Sequence, residues 1–97
     1  MWRSEKQQCE IARSLLKRVR LERLWTSTRP TDEACRLLDR GGGPLSHGET
    51  LMLRVAFDIW NGGGRAEVGE LLATLDEGNL RAVAEALLAR DGTEVRG

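Results

Sequence analysis

The sequence predicts an all-α fold, on three observations: its composition, the spacing of its apolar residues, and the capping chemistry at the ends of its apolar segments. Of 97 residues, 40% are apolar and 31% charged, a balance typical of chains that fold. Tyr is absent, Phe occurs once, and Ile, Val and Thr are few beside Leu, Ala, Arg and Glu, which favours helix over sheet. A chain of this length builds one domain with one modest core. About five helices are expected within a single domain over 1–97, at 4–25, 32–40, 46–61, 66–75 and 77–90, packed around the third, with a loose tail at 92–97.

The first helix opens with a capping box, Ser4 with Gln7. Its apolar residues Ile11, Ala12, Leu15, Leu16, Val19 and Leu24 recur at steps near those of a helix face. The polar run Thr-Ser-Thr-Arg-Pro ends it, because Pro30 pushes Arg29 out of the helical region. The second helix places Asp32 and Glu33 at its start and Arg36 and Arg40 toward its end, matching the helix dipole. Leu37, Leu38 and Cys35 are expected to face the core, and Gly41 supplies the left-handed stop.

The third helix carries the strongest signals. Ser46-His47-Gly48-Glu49 is a second capping box, and Leu51, Met52, Val55, Ala56, Ile59 and Trp60 form two adjacent apolar rows, with Leu53 and Phe57 in a third. A helix apolar over so much of its circumference has neighbours on several sides. Asn61 and Gly62 stop it. The last two helices read as a hairpin, Val68, Leu71, Leu72 and Leu75 in one arm and Leu80, Val83, Ala84, Leu87 and Leu88 in the other, with Asp76 as the N-cap between them. The expected core is Trp60, Phe57, Ile59, Val55, Leu51, Leu72, Leu75, Val83 and Leu87. On this reading Trp60→Ala removes about 3–5 kcal/mol and all but unfolds the domain.

The string Leu45-Ser46-His47-Gly48-Glu49 resembles the Leu-Ser-x-Gly-Glu signature of ABC-type and SMC-type ATPases, whose helix N-terminus meets a nucleotide phosphate. The chain has no G-x-x-x-x-G-K-[ST] and no apolar strand ending in Asp-Glu, so Ser46 and Glu49 are assigned to capping. His47 and Glu49 resemble the H-x-E of zinc deaminases, but no P-C-x-x-C follows. Two glycine triplets, 41–43 and 62–64, bracket the third helix and read as flexible joints in preference to phosphate cradles. No G-x-S-x-G occurs, and there is one His, so no catalytic residue, cofactor or metal ligand is assigned. A helix-turn-helix over Val68 to Leu88 puts Thr74 at the small-residue position and offers only Arg81 as an early basic side chain.

Net charge is zero but divided: residues 1–30 carry eight basic and three acidic side chains, hence +5, and residues 31–97 seven basic and twelve acidic, hence −5. The basic helix therefore docks on the rest of the chain or meets another anion. Its candidate contact residues are Lys6, Arg13, Lys17, Arg18, Arg20, Arg23 and Trp25, with Trp2 at the far end. The expected function is that of a small non-catalytic regulatory protein binding another protein or a second copy, with no small-molecule substrate. The alternative is nucleic-acid binding by the basic helix. In length and layout the chain is similar to many small bacterial and phage proteins, among them inhibitors that act by steric blocking, and thirteen Arg against two Lys suits a GC-rich genome. With two unframed cysteines, no signal-peptide pattern and no apolar stretch long enough to span a bilayer, a cytoplasmic protein with free thiols is expected.

Overall fold

In the computed structural model, which describes residues 4–89, the first helix, α1 (Glu5–Lys17), stops well short of Trp25. The 4–25 expectation is corrected here, and the reason is a cap without a glycine. Leu21 N–H donates to Leu16 C=O at 2.8 Å and Arg20 N–H to Lys17 C=O at 3.1 Å, the paired bonds of a Schellman stop. The left-handed position falls on Arg20, at φ +61°. Leu16 and Leu21, the pair that makes the hydrophobic contact in such a stop, are both buried.

From there a 3-10 turn, Glu22–Leu24, swings the chain inward, and Trp25 is only 2% exposed. An isolated bridge between Trp25 and Pro30 closes the loop between them. Thr26 holds that loop: its hydroxyl accepts from Thr28 and Arg29 N–H and donates to Arg29 C=O. The indole of Trp25 meets Phe57 and Trp60 edge-on, with ring centroids 5.1 and 5.9 Å away.

Helix α2 (Asp32–Asp39) starts on the Thr31 hydroxyl, which accepts from Ala34 N–H at 3.1 Å. It ends in the same paired bonds as α1, Gly42 N–H to Leu37 C=O and Gly41 N–H to Leu38 C=O, here with Gly41 at φ +67°. Leu37 is buried, and Leu38 and Cys35 are half-buried. Both cysteines are free, Cys9 fully buried.

Helix α3 (His47–Asn61) has both halves of its capping box: the Ser46 hydroxyl accepts from Glu49 N–H at 3.1 Å, and the Glu49 carboxylate accepts from Ser46 N–H at 2.8 Å. Ser46→Ala is expected to remove about 1 kcal/mol of stability, read as a lower denaturation midpoint at unchanged m-value. α3 packs against α1, α2 and α4, and buries Leu51, Met52, Leu53, Val55, Ala56, Phe57 and Ile59. Trp60 is half-buried at the rim, so the sealed position assigned to it belongs to Trp25 instead.

After the left-handed Gly62 the chain turns back along α3, and one carboxylate organises the turn. Asp58 Oδ1 accepts from Gly64 and Arg65 N–H, and Oδ2 from Ala66 N–H, at 2.8 to 3.1 Å. Gly64 lies so close to α3 that a Cβ there would overlap the Arg54 carbonyl oxygen. Gly64 is therefore a site of close approach and not merely a joint, whereas Gly62 has open space around it.

Helices α4 (Val68–Thr74) and α5 (Glu77–Leu88) complete the fold. Asp76 caps α5, accepting from Asn79 N–H at 2.7 Å. The expected hairpin is open: α4 packs chiefly on α3 and α5 on α1. Each arm buries one narrow line, Leu71 in α4 and Val83 with Ala86 in α5. Leu75 is half-buried, and two of the expected core residues, Leu72 and Leu87, are 62% and 54% exposed. Among the described residues there are five α-helices and no strand, so the fold is all-α. The expected end of the last helix at residue 90 and the loose tail at 92–97 lie outside the described residues, as does Trp2.

Candidate interaction surface

The basic side chains of the N-terminal segment do not form one stripe. Lys6, Arg13, Lys17, Arg18, Arg20 and Arg23 are all exposed, but they point to different neighbours. Arg13 and Lys17 border a groove of about 430 Å³ whose lining also includes Glu10 and Glu22. Arg18 turns toward α5 and donates from Nε to Asn79 Oδ1 at 2.9 Å. Arg23 lies 3.8 Å from Glu33, an exposed pair worth little in water. Arg20 belongs to the left-handed stop of α1. Trp25, assigned above to partner contact, is withdrawn from any surface by its burial among Phe57 and Trp60.

The docking of a basic helix on an acidic remainder is likewise slight. Among the described residues, the ion pairs that join residues 4–30 to the rest are Arg23 with Glu33 and Arg29 with Asp32, both exposed. His47 is solvent-facing, and its Nε2 lies 3.2 Å from Glu70 Oε2, linking the start of α3 to α4. Among the described residues no group of three His, Cys, Asp or Glu is placed to hold a metal ion, and no helix is long and apolar enough to cross a membrane.

What the fold does present is apolar surface on its last two helices. Val68 and Leu72, one turn apart on α4, are 70% and 62% exposed. Leu87 and Leu88, in the last turn of α5, are 54% and 58% exposed. Leu75 and Leu80, on either side of the α4–α5 corner, are half-buried. Isolated apolar residues on a surface are ordinary, but two helices in succession that each expose two large ones are not. The segment from Glu67 to Leu88 also carries five acidic side chains and one basic. The basic one, Arg81, pairs with Glu77 at 3.3 Å within α5.

Apolar periodicity alone does not set these residues apart from buried ones. The usable signal is the leucine doublet. Leu71-Leu72 and Leu87-Leu88 set neighbours about 100° apart around a helix, so an arm that buries one line cannot bury both members, and in α5 the buried line of Val83 and Ala86 takes neither. The chain matches no protein-family model, no curated protein and no solved structure, so the functional reading rests on its own surface.

Proposed function

We propose that the protein is a non-catalytic binding module that takes a basic amphipathic segment of another protein on the exposed apolar stripes of α4 and α5. The observation that carries this reading is the exposure of Val68, Leu72, Leu87 and Leu88 on a segment, Glu67 to Leu88, with five acidic side chains and one basic. Apolar groups of a partner helix cover the leucines, which supplies affinity, while its Lys and Arg side chains meet Glu67, Glu77 or Glu85, which supplies orientation and steering. The cytoplasmic placement is part of the same proposal, supported by the two free thiols.

A labelled synthetic helix with Leu at helical spacing and Lys elsewhere serves as the probe, followed by fluorescence anisotropy. Binding that weakens with salt is expected, and at least about a tenfold loss for the Leu72→Ser, Leu88→Ser double variant. Because both side chains are already in water, that variant should keep its stability to within about 0.5 kcal/mol per site. A Leu/Glu helix that binds as tightly, or a double variant that binds like the parent, contradicts the proposal. Reversible dimerisation in sedimentation, abolished by the same serines, assigns the face to a second copy instead.

Nucleic-acid binding by α1 is the weaker reading, since Glu10 and Glu22 share the groove of Arg13 and Lys17. Duplex DNA and RNA at low salt test it in the same assay.

A further inference from the structure

The two glycine triplets, far apart in sequence, meet over the middle of α3. Gly41, from the stop of α2, and Gly63 and Gly64, from the turn after α3, border one cleft of about 380 Å³. Its charged lining is Arg54, Arg65 and Asp39. Arg54 is half-buried and, among the described residues, forms no ion pair. Its one hydrogen bond is a long one, Nη1 to Gly64 C=O at 3.4 Å, which leaves most of its five donors unused.

Arg65 is the more telling residue. It sits at φ +58°, a backbone conformation that favours glycine, in a run that already contains three glycines. The Asp58 carboxylate, bonded to the amides of residues 64, 65 and 66, fixes the turn in this shape. That clamp also spends the amides a phosphate cradle would use. The donors left facing the cleft are therefore the two guanidiniums, one rising from α3 and one from a rigid loop. Asp39 is within 4 Å of neither guanidinium, so among the described residues both are left without an ion pair.

We propose that this cleft binds a phosphate, free or as a monoester, between Arg54 and Arg65, with Asp39 accepting a hydrogen bond from a protonated phosphate oxygen or a hydroxyl of the ligand. Two planar guanidinium forks match the paired oxygens of a phosphate, and a fixed loop reduces the ordering cost of binding. The ligand is bound, not transformed: the lining contains no nucleophile or metal-ligand cluster.

The test is a nuclear magnetic resonance titration of the full chain with inorganic phosphate into the low millimolar range, ionic strength held constant with chloride. Saturable shifts are expected at the amides of Gly63, Gly64 and Arg65 and at Arg54 Nε–H. Arg65→Gly is the decisive variant. Glycine relaxes at φ +58°, so its melting temperature should equal or exceed that of the parent, while phosphate affinity falls about tenfold or more. Arg54→Gln should lose affinity similarly, and Lys6→Gln should not. Phenyl phosphate binding more tightly than inorganic phosphate assigns the site to a monoester, and the reverse order to the free ion. No saturable shift, an Arg65→Gly variant that binds like the parent, or succinate binding as well as phosphate each overturns the proposal.

Discussion

Trp25→Ala is expected to lose cooperative unfolding near room temperature, or at the least to melt roughly 15 °C or more below the parent. The indole is the largest fully buried side chain among the described residues and joins parts of the chain far apart in sequence. It follows the 3-10 turn, bridges to Pro30, and packs edge-on against Phe57 and Trp60 of α3. Truncating a buried Trp typically costs about 3–5 kcal/mol, against a total of about 5–15 kcal/mol for a domain of this kind. The neighbours cannot collapse into the space cheaply, because Phe57 and Trp60 are held by the helix that carries them. Trp60→Ala should cost less, since Trp60 is only partly buried and some of its area is never removed from water. Circular-dichroism melts of the two variants decide the order. A Trp60→Ala protein less stable than the Trp25→Ala protein would return the centre of the core to α3 alone.

Gly64→Ala is expected to be nearly as severe, at roughly 3–5 kcal/mol, although it adds a single methyl group on a loop. That methyl would overlap the carbonyl oxygen of Arg54, which is backbone in the middle of a helix and cannot step aside. The loop must lift instead. In lifting it withdraws the Gly64, Arg65 and Ala66 amides from Asp58 and leaves a carboxylate short of the donors that satisfied it. Chemical denaturation measures the loss. A Gly62→Ala control separates contact from conformation: Gly62 is left-handed at φ +78° but has open space where a Cβ would stand, so it should pay only the backbone strain. Equal losses at the two positions would remove the close approach as the cause.

The contrast between Arg20 and Gly41 explains how far the fold could be read from residues alone. Both helices end with the same pair of hydrogen bonds and the same left-handed residue. At Gly41 the residue type announces the stop. At Arg20 nothing does, because an arginine there is chosen by the burial of Leu16 and Leu21 and not by its own preference. The apolar steps Ile11, Ala12, Leu15 and Leu16 therefore gave the start and face of α1 correctly, and extrapolating through Leu24 to Trp25 did not. Capping chemistry is legible at Ser46 with Glu49 and at Asp76 with Asn79, where donor and acceptor are neighbours in sequence. The Asp58 clamp reaches six to eight residues ahead and has no such local signature.

The candidate surface was illegible for a related reason. A leucine four residues from another marks an apolar line, but which line meets the core depends on the direction in which each arm is laid down. Leu71 is buried and Leu72 is exposed on a helix that packs against α3, and that choice follows from the course of the turn that Asp58 and Gly64 impose. Likewise, the meeting of Gly41 with Gly63 and Gly64 beside Arg54 is a consequence of how α2 and the turn fold back over α3, not of any spacing along the chain.

Hydroxyl-radical footprinting of the purified chain, resolved to single residues by mass spectrometry, sets the inside of this fold against its outside in one measurement. Leu72, Leu87 and Leu88 should oxidise at rates close to those of the denatured protein, while Leu16, Leu53 and Trp25 stay protected. Leu72 and Leu88 as protected as Leu53, or Trp25 oxidised as fast in the native as in the denatured chain, would contradict a core closed over Trp25 that leaves the last two helices open to a partner.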